Sequence, residues 1–589
     1  MDNELKIFGH CRVYRVGELQ QTLACGSKET GRIRLITVYI WWTSDSKGRD
    51  RSARLVDTQS VLLTVGSGAQ IEAFERSRCS GLDPQRHRSL ETVKYLVDPA
   101  LQTKASRFWT HRRNQQHRVG SRISVATAIS IDLIMAILDT LTAPASALLS
   151  TLTSQAWQPL VSICKNGTLS QLQNIQIGRL VLFEGEESKA KNVFGADKEG
   201  VPVAYLHVHD EKFWVRLALF ADMGFAESYM LGEVSSPDLT KFFELFILNR
   251  NHLGNGSNLT AAISSGLAGL VRGSNNLKNA KLNIMAHYDI SNEMFAAFLS
   301  PDMTYSSPIW LPKSNPKSAS ESLYDAQMRK LDRFIDNTHI KGTDHVLEIG
   351  TGWGSFAMRA VQRTGCRITS LTLSIEQKEL AEERIRAAGM SDKITVLLCD
   401  YRSLEVPEKG AFDKIVSIEM LEAVGQAYLK TYFQCVDKLL KKEGGIACFQ
   451  CITMPDGRYE AYAKSDDFIR RYIFPGGHLP AVSELVSSIQ SASGGSLVVD
   501  SIENIGPHYS KALRLWREEF LNNWDGRIKP QLIKEKAGDL DTEGAEIFKR
   551  KWDYYFRYSE AGFSTKTLGD VIITVGREGA TQMMEDVPL

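Results

Sequence analysis

The sequence has almost no excess of charge of either sign. Its 70 Lys and Arg side chains stand against 69 Asp and Glu side chains, so the formal net charge is +1 over 589 residues. Proteins that bind nucleic acid through a large basic surface carry a clear positive excess, and this chain does not. We therefore expect no nucleic-acid partner, and any basic surface must be local.

Cysteine pairs with the spacing of a zinc site are also missing. Nine cysteines are scattered along the chain, and only Cys448 and Cys451 form a CxxC. A zinc site of this type needs a second pair of ligands at a defined spacing, so we expect no metal. A lone CxxC in an apolar stretch favours two packed thiols over a metal or redox site. The cysteines thus indicate an intracellular protein with reduced thiols.

Little in the sequence indicates insertion into a membrane. Residues 1–15 mix charges and have no apolar h-region, which argues against a secretory signal. The candidate span, residues 123–152, contains Asp132, Asp139 and Pro144. Each central aspartate costs about 2.5 to 3.5 kcal/mol on insertion, so a surface or buried helix is favoured. The basic residues 104–122 before it are interpreted as a linker or as a membrane-surface patch.

Changes of composition along the chain predict five regions. Residues 1–155 alternate short apolar runs with charged stretches, and we leave them as an unassigned N-terminal extension that need not be well ordered. Residues 156–252 combine strand-like segments such as RLVLFEG and VAYLHVH with helix-like ones, which predicts a small α/β domain. The Gly-, Ser- and Asn-rich residues 253–280 are typical of a connector. Residues 281–577 form the predicted catalytic domain, and residues 578–589 form a tail.

Apolar strands alternate with helices in the predicted catalytic domain. The order is HVLEIG, a helix from Ser355, RITSLTLS, a helix from Glu376, ITVLLCD, KIVSIEM, a helix through Leu439 and GIACFQCIT. Alternation of this kind needs right-handed crossovers and gives a mainly parallel sheet. The sequence therefore predicts a doubly wound α/β fold.

A glycine-rich turn follows the first of these strands. Gly350, Gly352 and Gly354 lie between that strand and the next helix, where glycine lets the backbone pass close to a ligand. A dinucleotide site would need an acidic residue at the end of the second strand. That strand ends at Ser374 with no carboxylate, so the dinucleotide interpretation is disfavoured.

Two carboxylates favour S-adenosylmethionine instead. Glu348 ends the first strand just before the turn, and Asp400 ends the third strand. A carboxylate at the second of these places can accept a hydrogen bond from the adenine amino group. A helix N-cap or turn residue is the structural alternative for Asp400.

Five segments together resemble one family. They are HYDISNEMFAAFLSPDMTYSS at residues 287–307, LEIGTGWGSFA, LTLSIEQ, SIEMLEAVG and RYIFPGGHLP. In order and spacing they are similar to the cyclopropane-fatty-acyl-phospholipid synthase and mycolic-acid methyltransferase family, over roughly residues 165–577. The resemblance implies a Rossmann-like class I S-adenosylmethionine-dependent methyltransferase domain with a smaller α/β N-terminal domain.

The resemblance also implies which residues bind the cofactor. His287 and Tyr288 would help close the site over it. Plain aromatic core is the structural alternative for Tyr288 and Tyr305. The full set of cofactor-binding residues is expected to be His287, Tyr288, Tyr305, Ser306, Glu348, Gly350, Gly352, Gly354, Thr372, Ser374, Gln377, Asp400 and Tyr401.

In the family a bicarbonate ion held in the site acts as the base, so the expected catalytic residues are its ligands. The matching positions are Glu422 and Tyr509, while Glu419 aligns with a less specific position. A solvent-facing carboxylate at a helix start is the structural alternative for Glu422. Ser307 stands where many bacterial members have cysteine, and Gln450 stands where they have histidine. Gln450 can hold an anion but cannot titrate, so a histidine proton relay is lost.

The leading interpretation is an enzyme that transfers a methylene from S-adenosylmethionine to a cis double bond of a phospholipid acyl chain. We expect a cytoplasmic protein bound peripherally to the membrane surface, because its substrate lies there. A related lipid C-methyltransferase, giving a methyl-branched fatty acid or sphingolipid, is the first alternative, since loss of the histidine puts ring closure in doubt. A non-catalytic lipid-binding protein is a third interpretation, and a homodimer is left open.

Overall fold

The computed structural model describes residues 146–185, 190–253, 291–535, 540–585 and 587–588, with side chains from residue 157 onward, and the backbone of six strands nearer the N-terminus. These parts belong to two compact units, Met1–Ala143 and Pro144–Leu589. The strands of the first unit form an antiparallel sheet in chain order, which agrees with the short apolar runs of the sequence there. They are β1 (Leu5–Lys6), β2 (Cys11–Leu19), β3 (Arg34–Trp42), β4 (Gln59–Val65), β5 (Ile71–Arg76) and β6 (Val93–Lys94).

The second unit begins with a small α/β layer. The sheet order is β10-β9-β7-β8, in which β7 and β9 are parallel and the other pairs are antiparallel. Strand β9 alternates between covered and exposed residues, as expected for a sheet with helices on one face. The elements are α1 (Ser146–Leu172), β7 (Arg179–Glu184), β8 (Asn192–Gly195), β9 (Val203–Val208), α2 (Lys212–Met230), β10 (Val234–Ser235) and α3 (Leu239–Leu253).

The predicted domain boundaries stay predictions. Helix α1 runs through residue 155, so it crosses the boundary predicted at 155/156. The apolar stretch 123–152 is described only from Ser146, where it is helical. Residues 254–290, which include most of the predicted connector, lie outside the described residues.

Helix α2 contains a kink that the sequence did not indicate. Ala221 has φ 50° and ψ −126°, which interrupts the helix and folds its second half back. Gly224 lies within this helix, and a Cβ there would stand 2.2 Å from the carbonyl oxygen of Arg216. Glycine is therefore required for the close approach of two backbone segments. Gly232, with φ +75°, does serve a turn.

The catalytic part contains a seven-stranded sheet in the order β13-β12-β11-β14-β15-β17-β16. Its elements up to β15 are α4 (Asn292–Phe298), α5 (Leu323–Asn337), β11 (His345–Ile349), α6 (Ser355–Thr364), β12 (Arg367–Thr372), α7 (Ile375–Ala387), β13 (Ile394–Leu398), β14 (Lys414–Ile418), α8 (Leu429–Leu439) and β15 (Ile446–Thr453). The remainder are α9 (Asp456–Ala463), α10 (Val482–Ser493), β16 (Val498–Asn504), α11 (Gly506–Asn522), α12 (Lys529–Glu535), α13 (Thr542–Ser564) and β17 (Gly569–Gly576).

Short turns of 3-10 and π helix also lie between these elements. Turns of 3-10 helix lie at Pro316–Ala319, Tyr401–Ser403, Leu421–Ala423, Gln426–Tyr428 and Thr581–Met584, and π turns at Ile469–Ile473 and Trp524–Ile528. The alternation predicted from residue 346 onward is confirmed, with helices that begin at Ser355 and end at Leu439 as expected.

The strand order creates a switch point at the middle of the sheet. Strands β13, β12, β11, β14 and β15 are parallel, and the order turns back between β11 and β14. Strand β17 is antiparallel to both β15 and β16. Ligands of open α/β sheets bind at such a point, beyond the carboxyl ends of the strands. We therefore expect the ligand site at the loops after β11, β12, β13 and β14.

Helices cover both faces of this sheet. Leu347 of β11 packs in one core with Tyr432 and Phe433 of α8. Val346, its neighbour in the strand, packs in the opposite core with Phe334 of α5 and Phe356 of α6. Successive residues of a strand point to opposite faces, so a strand covered on both faces is apolar throughout, as HVLEI nearly is.

The small α/β layer and the C-terminal helices share one aromatic core. Phe225 of α2 stacks on Phe242 of α3 at 4.6 Å between ring centroids, and Phe243 meets Tyr554 of α13 at 5.1 Å. The two parts of the second unit therefore fold against each other. Within the described ranges, no helix is long and apolar enough to cross a membrane.

Candidate active site

The glycine-rich turn after β11 has the shape of a ligand cradle. Gly350, Gly352 and Gly354 have φ of 104°, 50° and 84°, and the amides of Gly350 and Thr351 donate to the Leu371 carbonyl. A Cβ at Gly352 would meet no atom within 4 Å. The turn thus exposes bare backbone to open space at the carboxyl end of the central strand, where the expected cofactor fits.

Glu348 lies in β11, just before this turn, and is buried. Its carboxylate is 3% exposed and accepts a hydrogen bond from Ser370 Oγ at 2.5 Å. Burial raises the pKa of Glu348 to about 8, and Ser370 and Lys330 oppose that shift. A direct contact of Glu348 with the cofactor stays a prediction.

The end of β12 brings three of the predicted residues together. Thr372 Oγ1 donates to Gln377 Oε1 at 2.9 Å and accepts from the Ser374 amide at 3.1 Å. Ser374 in turn caps α7 by accepting from the Gln377 amide. These bonds hold the loop after the second strand in one conformation beside the glycine turn.

Asp400 and Tyr401 follow β13. The Asp400 carboxylate caps the turn Tyr401–Ser403 and accepts from the amide, Nε and Nη2 of Arg402. The hydrogen bond from Arg402 lowers the pKa of Asp400. These contacts are those of a turn residue, which is the structural alternative for Asp400. A hydrogen bond between Asp400 and adenine stays a prediction. Tyr401 packs on Tyr432 at 5.0 Å.

Tyr305 and Ser306 lie in residues 299–322 between α4 and α5, the crossing segment. Tyr305 hydrogen-bonds the Tyr555 hydroxyl at 2.7 Å, and Lys330 Nζ donates to Ser306 Oγ at 2.5 Å. Lys330 is fully buried, and burial lowers its pKa to about 8 while neighbouring carboxylates oppose the shift. His287 and Tyr288 lie outside the described residues, so their predicted role is not addressed by the structure.

A set of hydrogen-bond donors converges on Glu419, just after β14. The Ser307 amide donates to Glu419 Oε1 at 2.8 Å, and Gln450 Nε2 donates to the same oxygen at 2.7 Å. Tyr509 donates from its hydroxyl to Glu419 Oε2 at 2.9 Å. Three of the four predicted catalytic residues therefore meet at a carboxylate that the sequence ranked below Glu422.

Glu422, the preferred candidate, has different neighbours. Its Oε1 accepts from the Ile452 amide at 2.5 Å, and none of the side-chain donors that hold Glu419 bonds it. It is not the solvent-facing carboxylate of the structural alternative, because its Oε2 is buried. Burial, and then the charge of Glu419, raise the pKa of Glu422 to about 8. The structure places it beside the cluster, and its catalytic role stays a prediction.

Asp570 completes the buried cluster, and sequence reasoning missed it. This residue of β17 is fully buried, and its Oδ2 accepts from Gln450 Nε2 at 2.8 Å. Burial, and then the charge of Glu419, raise the pKa of Asp570 well above its usual value. Lys330 was missed as well. Nothing local in the sequence marks either residue, but Glu419 was visible as a carboxylate at a strand end.

The strand order and the glycine turn together define a class I S-adenosylmethionine-dependent methyltransferase. Residues 275–572, about half of the chain, match the family model described as Mycolic acid cyclopropane synthetase. The chain belongs to this family and is an S-adenosylmethionine-dependent methyltransferase. This confirms the fold, the enzyme class and the family that the motifs indicated.

Individual relatives act on different lipids, by their names. The chain is 37% identical over 407 residues to tuberculostearic acid methyltransferase UfaA1 of Mycobacterium tuberculosis, which covers 68% of this chain and 88% of that protein. It is 29% identical over 388 residues to the cyclopropane-fatty-acyl-phospholipid synthase of Escherichia coli K12, with coverage of 65% and 91%. A sphingolipid C9-methyltransferase of Candida albicans is 32% identical over 252 residues, with coverage of 42% and 48%.

Solved structures include similar chains. The mycolic acid cyclopropane synthase CmaA1, in complex with SAH and CTAB, aligns with a TM-score of 0.41 and 26% sequence identity. The alignment covers 51% of this chain and 98% of that one.

The glycine turn yields a prediction on cofactor binding. Gly352→Val should raise the Kd for S-adenosylmethionine at least about tenfold, because it fills the open side of the turn and because φ 50° strains a residue with a Cβ. Gly389→Val is the matched control, since Gly389 has φ +68° and equally open surroundings but lies past the end of α7. Calorimetric titration measures both, and an equal loss in the two variants would mean that strain alone is responsible.

Buried Glu348 yields a prediction on stability. Because its pKa rises from 4.5 to about 8 in the folded state, the folded protein keeps a proton that the unfolded chain releases between those values. Its contribution to the free energy of unfolding must therefore fall as pH rises, by up to about 1.4 kcal/mol per pH unit. The difference in unfolding free energy between parent and Glu348→Gln should thus decline from about pH 5 to about pH 8 in urea titrations. The exposed Glu443→Gln is the control, and a difference for Glu348→Gln as flat as for that control would contradict the assignment.

Proposed function

We propose that the enzyme transfers one carbon from S-adenosylmethionine to a cis double bond of a phospholipid acyl chain and closes a cyclopropane ring. The observation that carries this proposal is an aromatic path from the glycine turn to a buried carboxylate. Trp353 of the turn meets Phe295 at 4.9 Å, Phe295 meets Tyr305 at 5.0 Å, and Tyr305 meets Trp516 at 5.1 Å. Trp516 then contacts Tyr509, which bonds Glu419.

This arrangement suits the chemistry of an alkene. When bound, S-adenosylmethionine supplies an electrophilic methyl group. An alkene has no proton to remove beforehand, so the protein must instead tolerate a carbocation and then accept a proton. The aromatic faces of Tyr305 and Trp516 stabilise a cation in a water-poor site, and the cluster around Glu419 offers the acceptor.

The predicted cofactor residues lie at the same edge of the sheet. The loops after β11, β12 and β13 carry Gly352, Thr372 and Asp400, and the crossing segment carries Tyr305 and Ser306. We propose that these loops hold the adenosine and methionine parts of the cofactor. The predicted role of Tyr401, beside Asp400, belongs to the same proposal.

Bicarbonate, which the resemblance predicts as the base, does not fit the described residues. The Ser307 amide, Gln450 and the Tyr509 hydroxyl already donate to Glu419, and the Ile452 amide donates to Glu422. The buried Gln450 Oε1, which has no partner nearby, can only accept a hydrogen bond and so adds no donor for an anion. No step is therefore assigned to bicarbonate.

Gln450 and the names of two relatives favour a second class of product, a methyl-branched fatty acid or sphingolipid. Gln450 cannot carry a proton from the cation, and relatives named for methyl-branched and sphingolipid products align with this chain. A cation that loses its proton from a neighbouring chain carbon gives a methyl-branched alkene in place of a ring. A 1,2-hydride shift to place the cation on the methyl-bearing carbon, followed by loss of a methyl proton, gives a methylene branch. The same site would serve a fatty acid or a sphingolipid.

We also propose a cytoplasmic enzyme that binds the membrane surface peripherally. The acyl chain of a phospholipid must leave the bilayer to reach a buried site. Phe474 is 40% exposed and lies 6.5 Å from the Tyr305 ring, so it forms an apolar approach to the aromatic path. The basic residues 104–122 lie outside the described residues, and a homodimer remains an open proposal.

The proposed reaction predicts where a labelled methyl carbon goes. Incubation with methyl-labelled S-adenosylmethionine and vesicles of cis-unsaturated phospholipid should place the label in high-field cyclopropane protons, seen by NMR and mass spectrometry of the released fatty acids. Saturated phospholipid is the control and should take up no label. Label in a branched methyl or methylene would replace the ring product by the second class, and absence of label from every lipid would reject a lipid substrate.

A further inference from the structure

The surroundings of Glu419 are those of a bound anion. Its two carboxylate oxygens accept from the Ser307 amide, Gln450 Nε2 and the Tyr509 hydroxyl, at 2.7 to 2.9 Å. These donors come from the crossing segment, strand β15 and helix α11, which are far apart in the chain. A fixed set of donors around one carboxylate is the usual way to keep a buried negative charge.

These donors are the same groups that the family resemblance assigns to a separate anion. From these contacts we propose that the Glu419 carboxylate is the general base of the reaction and takes the place of a bound bicarbonate. This inference rests on the proposed function, since it needs a methylated carbocation that must lose a proton. The general base is then a side chain of the protein and not a diffusible ion.

The backbone at Glu419 supports a role for this side chain. Glu419 has φ +48°, a left-handed conformation that costs a residue with a Cβ of the order of 1 kcal/mol or more. Glycine would adopt it freely, and the bond from the Glu419 amide to the Gln450 carbonyl at 3.0 Å holds it. A strained residue whose side chain alone meets three donors is consistent with a functional position.

Burial of Glu419 and its neighbours shift the pKa of its carboxyl in opposite directions. Burial raises the pKa of Glu419, but the Ser307 amide, Lys330, Tyr509 and a hydrogen bond from Asp570 all act against this shift. Burial, and then the charge of Glu419, raise the pKa of Asp570, and a hydrogen bond from Asp570 lowers the pKa of Glu419.

The chemical step then balances within the site. The π electrons of the alkene form a bond to the methyl carbon as its bond to sulfur breaks, and a carbocation and neutral S-adenosylhomocysteine result. The Glu419 carboxylate then takes a proton from that methyl carbon, and the released C–H electron pair closes the ring. Glu419 ends as a neutral carboxylic acid and loses its proton when the site opens to water.

The test is the dependence of turnover on bicarbonate and on two carboxyls. Formation of S-adenosylhomocysteine and labelled lipid is measured in buffer freed of carbon dioxide, with and without added bicarbonate. The parent enzyme should turn over equally in both, within about twofold. Glu419→Gln should lose at least about 100-fold in both, because an amide fills the position but cannot accept the proton.

Two further variants sharpen the result. Glu419→Gly relieves the positive φ and frees the three donors, so added bicarbonate should restore its turnover at least about tenfold. Glu422→Gln, at an equally buried neighbour that accepts from the Ile452 amide and from none of the three donors of Glu419, should lose less turnover than Glu419→Gln. Glu443→Gln is the exposed control, and calorimetric binding of S-adenosylmethionine checks that each variant is folded.

Different results would overturn this inference and the proposed function. A parent enzyme that needs added bicarbonate, or a Glu419→Gln variant with more than about a tenth of parental turnover, would overturn the assignment of the base while lipid methylation stands. A parent enzyme that labels no lipid under either condition would overturn both.

Discussion

The burial of negative charge at the carboxyl end of β14 is the constraint on which the site depends. A carboxylate removed from water is stable only if donors and a compensating charge surround it. Ser307, Gln450 and Tyr509 supply the donors, and buried Lys330 supplies the positive charge. Because these groups come from separate elements, forming the Glu419 site fixes the position of the crossing segment and α11 relative to the sheet.

The remainder of the site is arranged around this charge. On one side, the glycine turn and the loops after β12 and β13 leave backbone and polar groups at the sheet edge, as a cofactor with charged ends requires. On the other side, Tyr305, Trp516 and Tyr509 bring aromatic faces up to the carboxylate. In the proposed reaction, the electrophile, the cation-stabilising surface and the proton acceptor follow one another across the site.

The sequence could predict the features that depend on local pattern. Alternating strands and helices, the glycine turn and the strand-end positions of Thr372 and Asp400 follow from short segments read one at a time. The choice between Glu419 and Glu422 does not, because they are three residues apart and the left-handed φ at Glu419 decides which side chain faces Gln450. Asp570 was missed for another reason: it reaches the site through antiparallel pairing of β17 with β15, across more than a hundred residues.

The most direct test is a crystal structure of the parent enzyme with S-adenosylhomocysteine, grown in the presence of bicarbonate. The account predicts that the Glu419 carboxylate still accepts from the Ser307 amide, Gln450 and Tyr509, with no planar ion between these donors. A bicarbonate ion bound to those groups, with Glu419 turned away, would contradict it.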